Sequence, residues 1–503
     1  MKKILVLGLL SFMLTGCIID IGDIIDVMNS NNNYTSNKTS LNLSGNSSEE
    51  GLKGIDYLDY YSAVSGCKYF PNKGNQKMLV VPVMFKGESL NNKDKVLSDL
   101  NTTFNGSELE TGWESVSSFY SETSYGNLNI EADVLDYWIT LDKTCNEVAN
   151  LSYNEYDDPT IYVLDYVHNY LKNRIDLTQY DNNSDGFVDG VWLVYGNHSY
   201  SEYQYESDEL ENLLWAYTYW NTNSRPNANM PAFNVYCWGS YDFMYESEGK
   251  SGGIKLDAHT FIHETGHMLG LDDYYDYDST KNPTGCLDMM DYNIGDHNSY
   301  SKWMLDWVKP KVYDFEEEVI DVKSFVDTGE FIVIPSDKNV NYSPLSEYLL
   351  IEFYTPTGLN NQDASYSYLG SYPKMFSDYG VRIYHVDSRL GEFVYQNGDW
   401  YYSDYIYNFT KNDLYTKTGS YNYFAIFNNN TPSYSFEEDN NLIRLVSAFY
   451  GNDHVYREDQ YASNKDLFKD GSMLSNFRFN NGNYLEVSIE FEIRNDTLRV
   501  CFE

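Results

Sequence analysis

The stretch His263-Glu264-Thr265-Gly266-His267 sets two imidazoles four residues apart, with a carboxylate beside the first. On a helix, residues four apart project from one face, so both rings can reach one point. Neutral imidazole is a good zinc ligand, and a carboxylate next to the metal can accept a proton from water. The chain continues Met268-Leu269-Gly270-Leu271-Asp272-Asp273. Gly270 permits the backbone to turn sharply and end the helix. Asp273 then arrives where a third ligand completes a site of three protein groups and leaves a fourth position for water. The chemistry this set suits is metal-assisted hydrolysis, with Zn2+ on His263, His267 and Asp273 and with Glu264 as the base.

Two further groups carry oxygen or sulfur at suggestive spacing. Cys286-Leu287-Asp288-Met289-Met290-Asp291-Tyr292 follows in a turn-prone, polar setting. Met290 is expected beneath the metal as an apolar floor; service as core filler is the plain alternative. Tyr292, two residues on, would bring a phenol near the metal, where it could donate to an oxyanion. Upstream, Asp181, Asn183, Asp185 and Asp189 fall at positions one, three, five and nine of a loop with Gly186 at six. Phe187, at seven, offers its backbone carbonyl. Such oxygen density suits a structural Ca2+, although Trp192 stands where an EF-hand has its Glu. The plain alternative is a loop held by its own Asx turns. His259, one turn before His263, and the lone His297 and His385 read as structural.

These groups need elements to hold them. Lys77 to Phe85 is an apolar, β-branched run and reads as a buried strand, with Pro82 arguing for an edge or a bulge. Ser115 to Gly126 reads as a helix leading into an alternating strand, Asn127 to Val134. Pro159 to Asn173 has helical spacing, Phe187 to Tyr195 reads as a second buried strand, and Ile254 to Leu269 as the helix carrying the imidazoles. Strands alternating with helices to about residue 310 predict an α/β (α+β) catalytic domain over 54–310. From Val319 the texture changes to short apolar runs between turn residues: Phe331 to Ile334, Tyr348 to Phe353, Val381 to Val386 and Leu442 to Val446. That predicts an all-β, sandwich-like domain over 311–503.

Length and charge bound the rest. A chain of 503 residues suits two or three domains. Its net charge of −41 repels phosphate backbones and anionic headgroups, which argues against nucleic-acid binding and electrostatic membrane adsorption. Met1-Lys2-Lys3, the apolar run Ile4 to Leu14 and Leu14-Thr15-Gly16-Cys17 read as a lipoprotein leader over 1–16, cleaved before a lipidated Cys17. Residues 17–53, rich in Asn and Ser, read as a tether. The five other cysteines, Cys67, Cys145, Cys237, Cys286 and Cys501, form no CxxC pair, and Cys67 is a conceivable thiol for blocking a metal.

The run His263 to Asp276, with Leu287-Asp288-Met289-Met290-Asp291-Tyr292 and Tyr300-Ser301-Lys302-Trp303-Met304-Leu305-Asp306-Trp307, resembles the immune inhibitor A family of secreted zinc metallopeptidases, with the metzincin-like pattern HExxHxxGxxD. Ser115 to Gly126, Tyr348-Leu349-Leu350-Ile351-Glu352 and Gly380 to Asp387 are similar to that family's flanking segments. The resemblance covers roughly Lys77 to the C-terminus. It departs at Asp306-Trp307, where the family has Gly-Trp, and at Phe353-Tyr354 after Glu352. It implies a zinc endopeptidase with a Met-turn at Met290 and a structural calcium at the Asp181–Asp189 loop. A monomeric, lipid-anchored enzyme on the outer face of a bacterial membrane, cutting protein or peptide substrates, is the expectation. A surface adhesion protein that keeps the fold without catalysis is the rival, against which the intact Glu264 argues.

Overall fold

A computed structural model describes residues 51–503 apart from 152–157, 200–207, 248–251, 277–280, 339–341, 371, 397–398, 408, 430–439, 452–453 and 458–459. The expected leader, Cys17 and the expected tether up to residue 50 lie outside the described residues. No helix among those described is long and apolar enough to cross a membrane. At the end of the predicted tether, Gly51 donates to the Tyr342 carbonyl (3.2 Å) and Leu52 is buried, so the folded body begins by residue 51.

The fold is mixed α/β. A six-stranded sheet runs Leu128–Val134, Gly74–Met84, Val191–Tyr195, Val235–Ser240, Tyr217–Trp220, with Ile139–Thr140 also paired to Gly74–Met84. All pairings are parallel except that of the edge strand Tyr217–Trp220, which runs antiparallel to its neighbour. Strands buried on both faces read as continuous apolar runs, which is why Met78 to Val83 shows no alternation. Met78, Val80, Trp192, Val194 and Cys237 face one core, against the helix His259–Met268. Leu79, Val81, Val83, Leu193 and Trp238 face the other, against Val163, Leu164 and Val167 of the helix Pro159–Leu171.

Several local expectations shift. Gly74–Met84 is not an edge strand, despite Pro82. Val80 gives its carbonyl to Leu135, and Met84 gives its carbonyl to Leu141, so even-numbered residues face the Leu128–Val134 side. Pro82 lies between the pairings with Leu128–Val134 and Ile139–Thr140, so its missing N–H meets a gap in the neighbour. Phe187 to Tyr195 is two strands, Phe187–Val188 and Val191–Tyr195, and the first pairs with Ala232–Phe233. The helix expected from Ile254 starts only at His259, because Lys255 and Leu256 donate to the Thr111 carbonyl (2.7 and 3.1 Å) and hold that stretch out of helical geometry.

After residue 310 a five-stranded sheet, with Phe331–Pro335, Glu347–Tyr354 and Gly380–Asp387 at its centre, faces a four-stranded antiparallel sheet that includes Val319–Lys323, Ile489–Arg494 and Thr497–Phe502. Alternation sorts the central strands. Leu349, Ile351, Val381 and Ile383 meet Ile320, Phe491 and Val500 in a core between the two sheets. Tyr348, Leu350, Tyr384 and Val386 join the core that also holds Ile262 and Met290. Two sheets thus meet in one core there, short helices such as Asn361–Ser365 and Lys411–Lys417 lie between strands, and the core runs unbroken across residue 310. A fully buried pair reinforces the junction: Glu352 accepts from the Ser299 N–H (2.7 Å) and from Arg382 Nε (2.7 Å).

Candidate metal centre

The helix His259–Met268 is fixed along its length. Asp257 Oδ1 accepts the His259 N–H (2.9 Å) at its start. The Tyr120 hydroxyl donates to the Ile262 carbonyl (2.7 Å), and Trp192 Nε1 donates to Thr265 Oγ1 (3.1 Å), tying the helix to the sheet. Gly266, between the two imidazoles, has no room for a side chain: a Cβ there would stand 2.6 Å from Met290 Sδ. Met290, fully buried, thus packs against the helix at Gly266. Gly270 takes φ of 95°, and Leu271 donates back to the Gly266 carbonyl (3.1 Å), which ends the helix and turns the chain.

His263 Nδ1 lies 2.7 Å from the Met289 carbonyl, and His267 Nδ1 lies 2.7 Å from the Leu271 carbonyl. A carbonyl only accepts, so each Nδ1 carries a proton, and in the neutral ring the lone pair is on Nε2. The two Nε2 atoms are 3.2 Å apart, and Asp273 Oδ1 is 3.0 Å from the first and 3.2 Å from the second. Ligand atoms on a tetrahedral zinc stand roughly 3.3 Å from one another, given zinc–ligand bonds of about 2.0–2.1 Å. The three atoms therefore match one face of a zinc tetrahedron. Burial works against charge on both rings, yet Asp273 outweighs it and holds both above the ordinary histidine value, His267 at about 10. Burial would raise Asp273, but the two imidazoles hold its carboxyl well below the usual range. A divalent cation can take the place of those protons.

Glu264 is buried beside this group, and burial pushes its carboxyl above the ordinary value. Its Oε2 accepts from Thr218 Oγ1 (3.0 Å), on the edge strand Tyr217–Trp220. Tyr292 sits half-buried at the margin, its hydroxyl paired with Cys286 and its ring 5.0 Å from Tyr372 and 6.0 Å from Tyr461. The other acids near the motif fall outside the ligand triangle. Asp272 is half-buried, and Asp276 and Glu246 are buried without joining it. Cys67 does not join it either; its buried thiol is bonded to Ser65 and pushed up to about 12.

The Asp181–Asp189 loop brings Asp181, Asp185 and Asp189 together, with carboxylate oxygens within 4.8 Å of one another. Gly186 takes φ of 88° at the turn. Asp181 accepts from the N–H groups of Asp185 (2.9 Å) and Gly186 (3.0 Å), and Asn183 Oδ1 also accepts from Asp185 (2.9 Å). Phe187 donates its N–H to Asp185 Oδ1 (3.0 Å). Lys68 Nζ, 3.1 Å from Asp185 Oδ2, already supplies one positive charge. Burial, then the neighbouring aspartates, push Asp189 up to about 7.

His259, His297 and His385 are core residues. His297 is packed among Phe119, Tyr120 and Trp307, and His385 bonds Glu347 through Nε2 (3.0 Å). His259 is stacked between Trp113 (3.9 Å) and Tyr368 (4.2 Å), with Asp257 2.8 Å from Nδ1 and Asp363 3.3 Å from Nε2. Two acceptors require two donors, so the ring is an imidazolium. Burial alone would lower its pKa; the two carboxylates outweigh that and hold it at about 9. A folded value above the unfolded one contributes stability that is complete below about pH 6.5 and lost as pH rises through 9. The loss is worth roughly 3 kcal/mol. In zinc-loaded protein, the melting temperature of wild type should fall between pH 6.5 and 9, while His259→Gln, lower throughout, should show a flatter profile over that interval. Parallel profiles would place the charge elsewhere.

Thr218 and Cys237, which touch Glu264, were not marked by any motif; both come from strands more than two dozen residues upstream of it. Compared with known proteins, the chain matches no family model and no curated protein.

Proposed function

We propose that the chain is a lipid-anchored, cell-surface zinc endopeptidase that hydrolyses peptide bonds of extracellular proteins, with a metzincin-like catalytic domain over 54–310 and a β domain over 311–503. The observation that carries this reading is the triangle of His263 Nε2, His267 Nε2 and Asp273 Oδ1, with edges of 3.0 to 3.2 Å and both Nδ1 protons committed to carbonyls. Zinc, when bound there, supplies Lewis acidity that polarises the scissile carbonyl and acidifies water. Glu264, with one carboxylate oxygen tied to Thr218, has the other for the attacking water's proton, which it passes to the leaving amine nitrogen. Tyr292 is the proposed donor to the oxyanion. Met290 and the carbonyls of Met289 and Leu271 keep the imidazoles aimed.

Purified, zinc-loaded protein incubated with a peptide library should cut internal bonds, and a chelator should stop it. Absence of any cleavage by zinc-loaded protein would overturn the reading. The anchor has its own test: Cys17→Ser should release the protein from membranes or leave it unprocessed. An unmodified Cys17 on the membrane-bound wild type, read by intact mass, would refute the lipid.

Calcium at the Asp181–Asp189 loop belongs to the same proposal, as a stabiliser with no part in the chemistry. Three carboxylates this close repel one another, and Lys68 neutralises only part of their charge. Calcium at a hundred times its Kd would add about 2.7 kcal/mol and raise the melting temperature by several degrees. Asp185→Ala should abolish that response and leave turnover at low temperature near normal, since the lost Lys68 pair is partly exposed and worth little. A wild-type melting temperature indifferent to millimolar calcium would mark the loop as satisfied by its own Asx turns.

A further inference from the structure

The edge strand Tyr217–Trp220 alternates, and Thr218 points inward with its side chain buried beneath the helix His259–Met268. Its hydroxyl is 3.0 Å from Glu264 Oε2, 2.9 Å from the Glu264 carbonyl and 3.1 Å from Cys237 Sγ. Cys237 lies on the neighbouring strand Val235–Ser240, fully buried, with Sγ also 3.3 Å from the Glu264 carbonyl.

A hydroxyl has one proton to give and can accept from another group. Burial raises the Cys237 thiol well above its ordinary value, so it keeps its proton and acts as a donor. The consistent arrangement has Cys237 as donor, to Thr218 or to the Glu264 carbonyl, and Thr218 donating onward to Glu264 Oε2. A hydrogen bond to a charged acceptor is both stronger and more directional than a neutral one. A Glu side chain on a helix otherwise has several rotamers, and its carboxylate has two equivalent oxygens.

Resting on the peptidase reading above, we infer that Thr218 is a positioning residue for the general base. By holding Oε2 it selects one rotamer of Glu264 and leaves the second oxygen to receive the proton of water. The edge strand thus aims the base without touching the reacting atoms. Near-attack geometry of this kind acts on kcat, because substrate binding does not depend on it.

The test uses an internally quenched peptide that zinc-loaded wild type cleaves. Thr218→Val keeps the shape of the side chain and removes its hydroxyl. It should lower kcat about tenfold, leave KM within about twofold and leave zinc content unchanged; Thr218→Ser should recover most of the loss. In a Glu264→Gln background, Thr218→Val should cost little more, since it acts through that carboxylate. Unchanged kcat in Thr218→Val, or the same loss in both backgrounds, would overturn the inference while the peptidase reading stands. A drop in zinc content, or a failure of Thr218→Ser to recover activity, would make Thr218 a structural residue and overturn it also. Absence of chelator-sensitive cleavage by wild type would instead refute the peptidase reading, and the inference with it.

Discussion

Glu264→Gln should reduce kcat by at least about a hundredfold while zinc remains bound at wild-type stoichiometry. The reasoning starts from what the substitution preserves. The amide has the shape of the carboxylate, and its oxygen can still accept from Thr218 Oγ1. Glu264 is not one of the three groups whose atoms form the ligand triangle, so the substitution removes no ligand atom. What disappears is basicity alone: an amide cannot take a proton from water and return it to an amine. Burial raises the Glu264 carboxyl, a shift toward the range in which a group both accepts and gives back a proton. Elemental analysis and turnover on one preparation check the prediction together. Proteolysis retained in Glu264→Gln with full zinc would rule out the proposed role of the base, and an adhesion protein would show no difference because neither form would cleave.

The ligand triangle was legible in the sequence because all of its atoms come from eleven consecutive residues. Over that distance, helix periodicity and one glycine at positive φ settle the geometry with little help from the rest of the chain. The packing of Met290 on Gly266 emerges only from the 2.6 Å approach. Thr218, Cys237 and the Asp363 partner of His259 were not legible. Each meets the helix through topology: an edge strand, an inner strand, and a short helix 104 residues away from the ring it holds. No local spacing encodes such a meeting. The same limit explains Ile254 to Ala258, whose apolar pattern suits a helix but in which the Lys255 and Leu256 N–H groups are claimed by Thr111 and the Asp257 N–H by Met244. It also explains the boundary near residue 310. The change from helical to strand texture is real, yet the five-stranded sheet is buried on both faces, and one face completes the core around the helix His259–Met268.

Asp273→Ala is expected to cost more zinc than any other single change at the site apart from loss of an imidazole. Loss of a group that merely orients a ligand lowers metal affinity roughly 10–100-fold; Asp273 is a proposed ligand itself, its Oδ1 3.0 and 3.2 Å from the two Nε2 atoms. It is also the only negative charge in the triangle. Two neutral imidazoles leave a divalent ion with its charge uncompensated in a buried site. The scaffold should survive, because the contacts that hold the helix, from Tyr120 to Ile262, from Trp192 to Thr265 and from Met290 to Gly266, do not involve Asp273. Asp272→Asn provides the control. Asp272 is half-buried, lies outside the triangle and should retain zinc and activity near wild type. Zinc per chain after dialysis against a weak chelator decides the matter. A content in Asp273→Ala equal to wild type would remove Asp273 from the ligand set and turn the search to the buried acids Asp276 and Glu246.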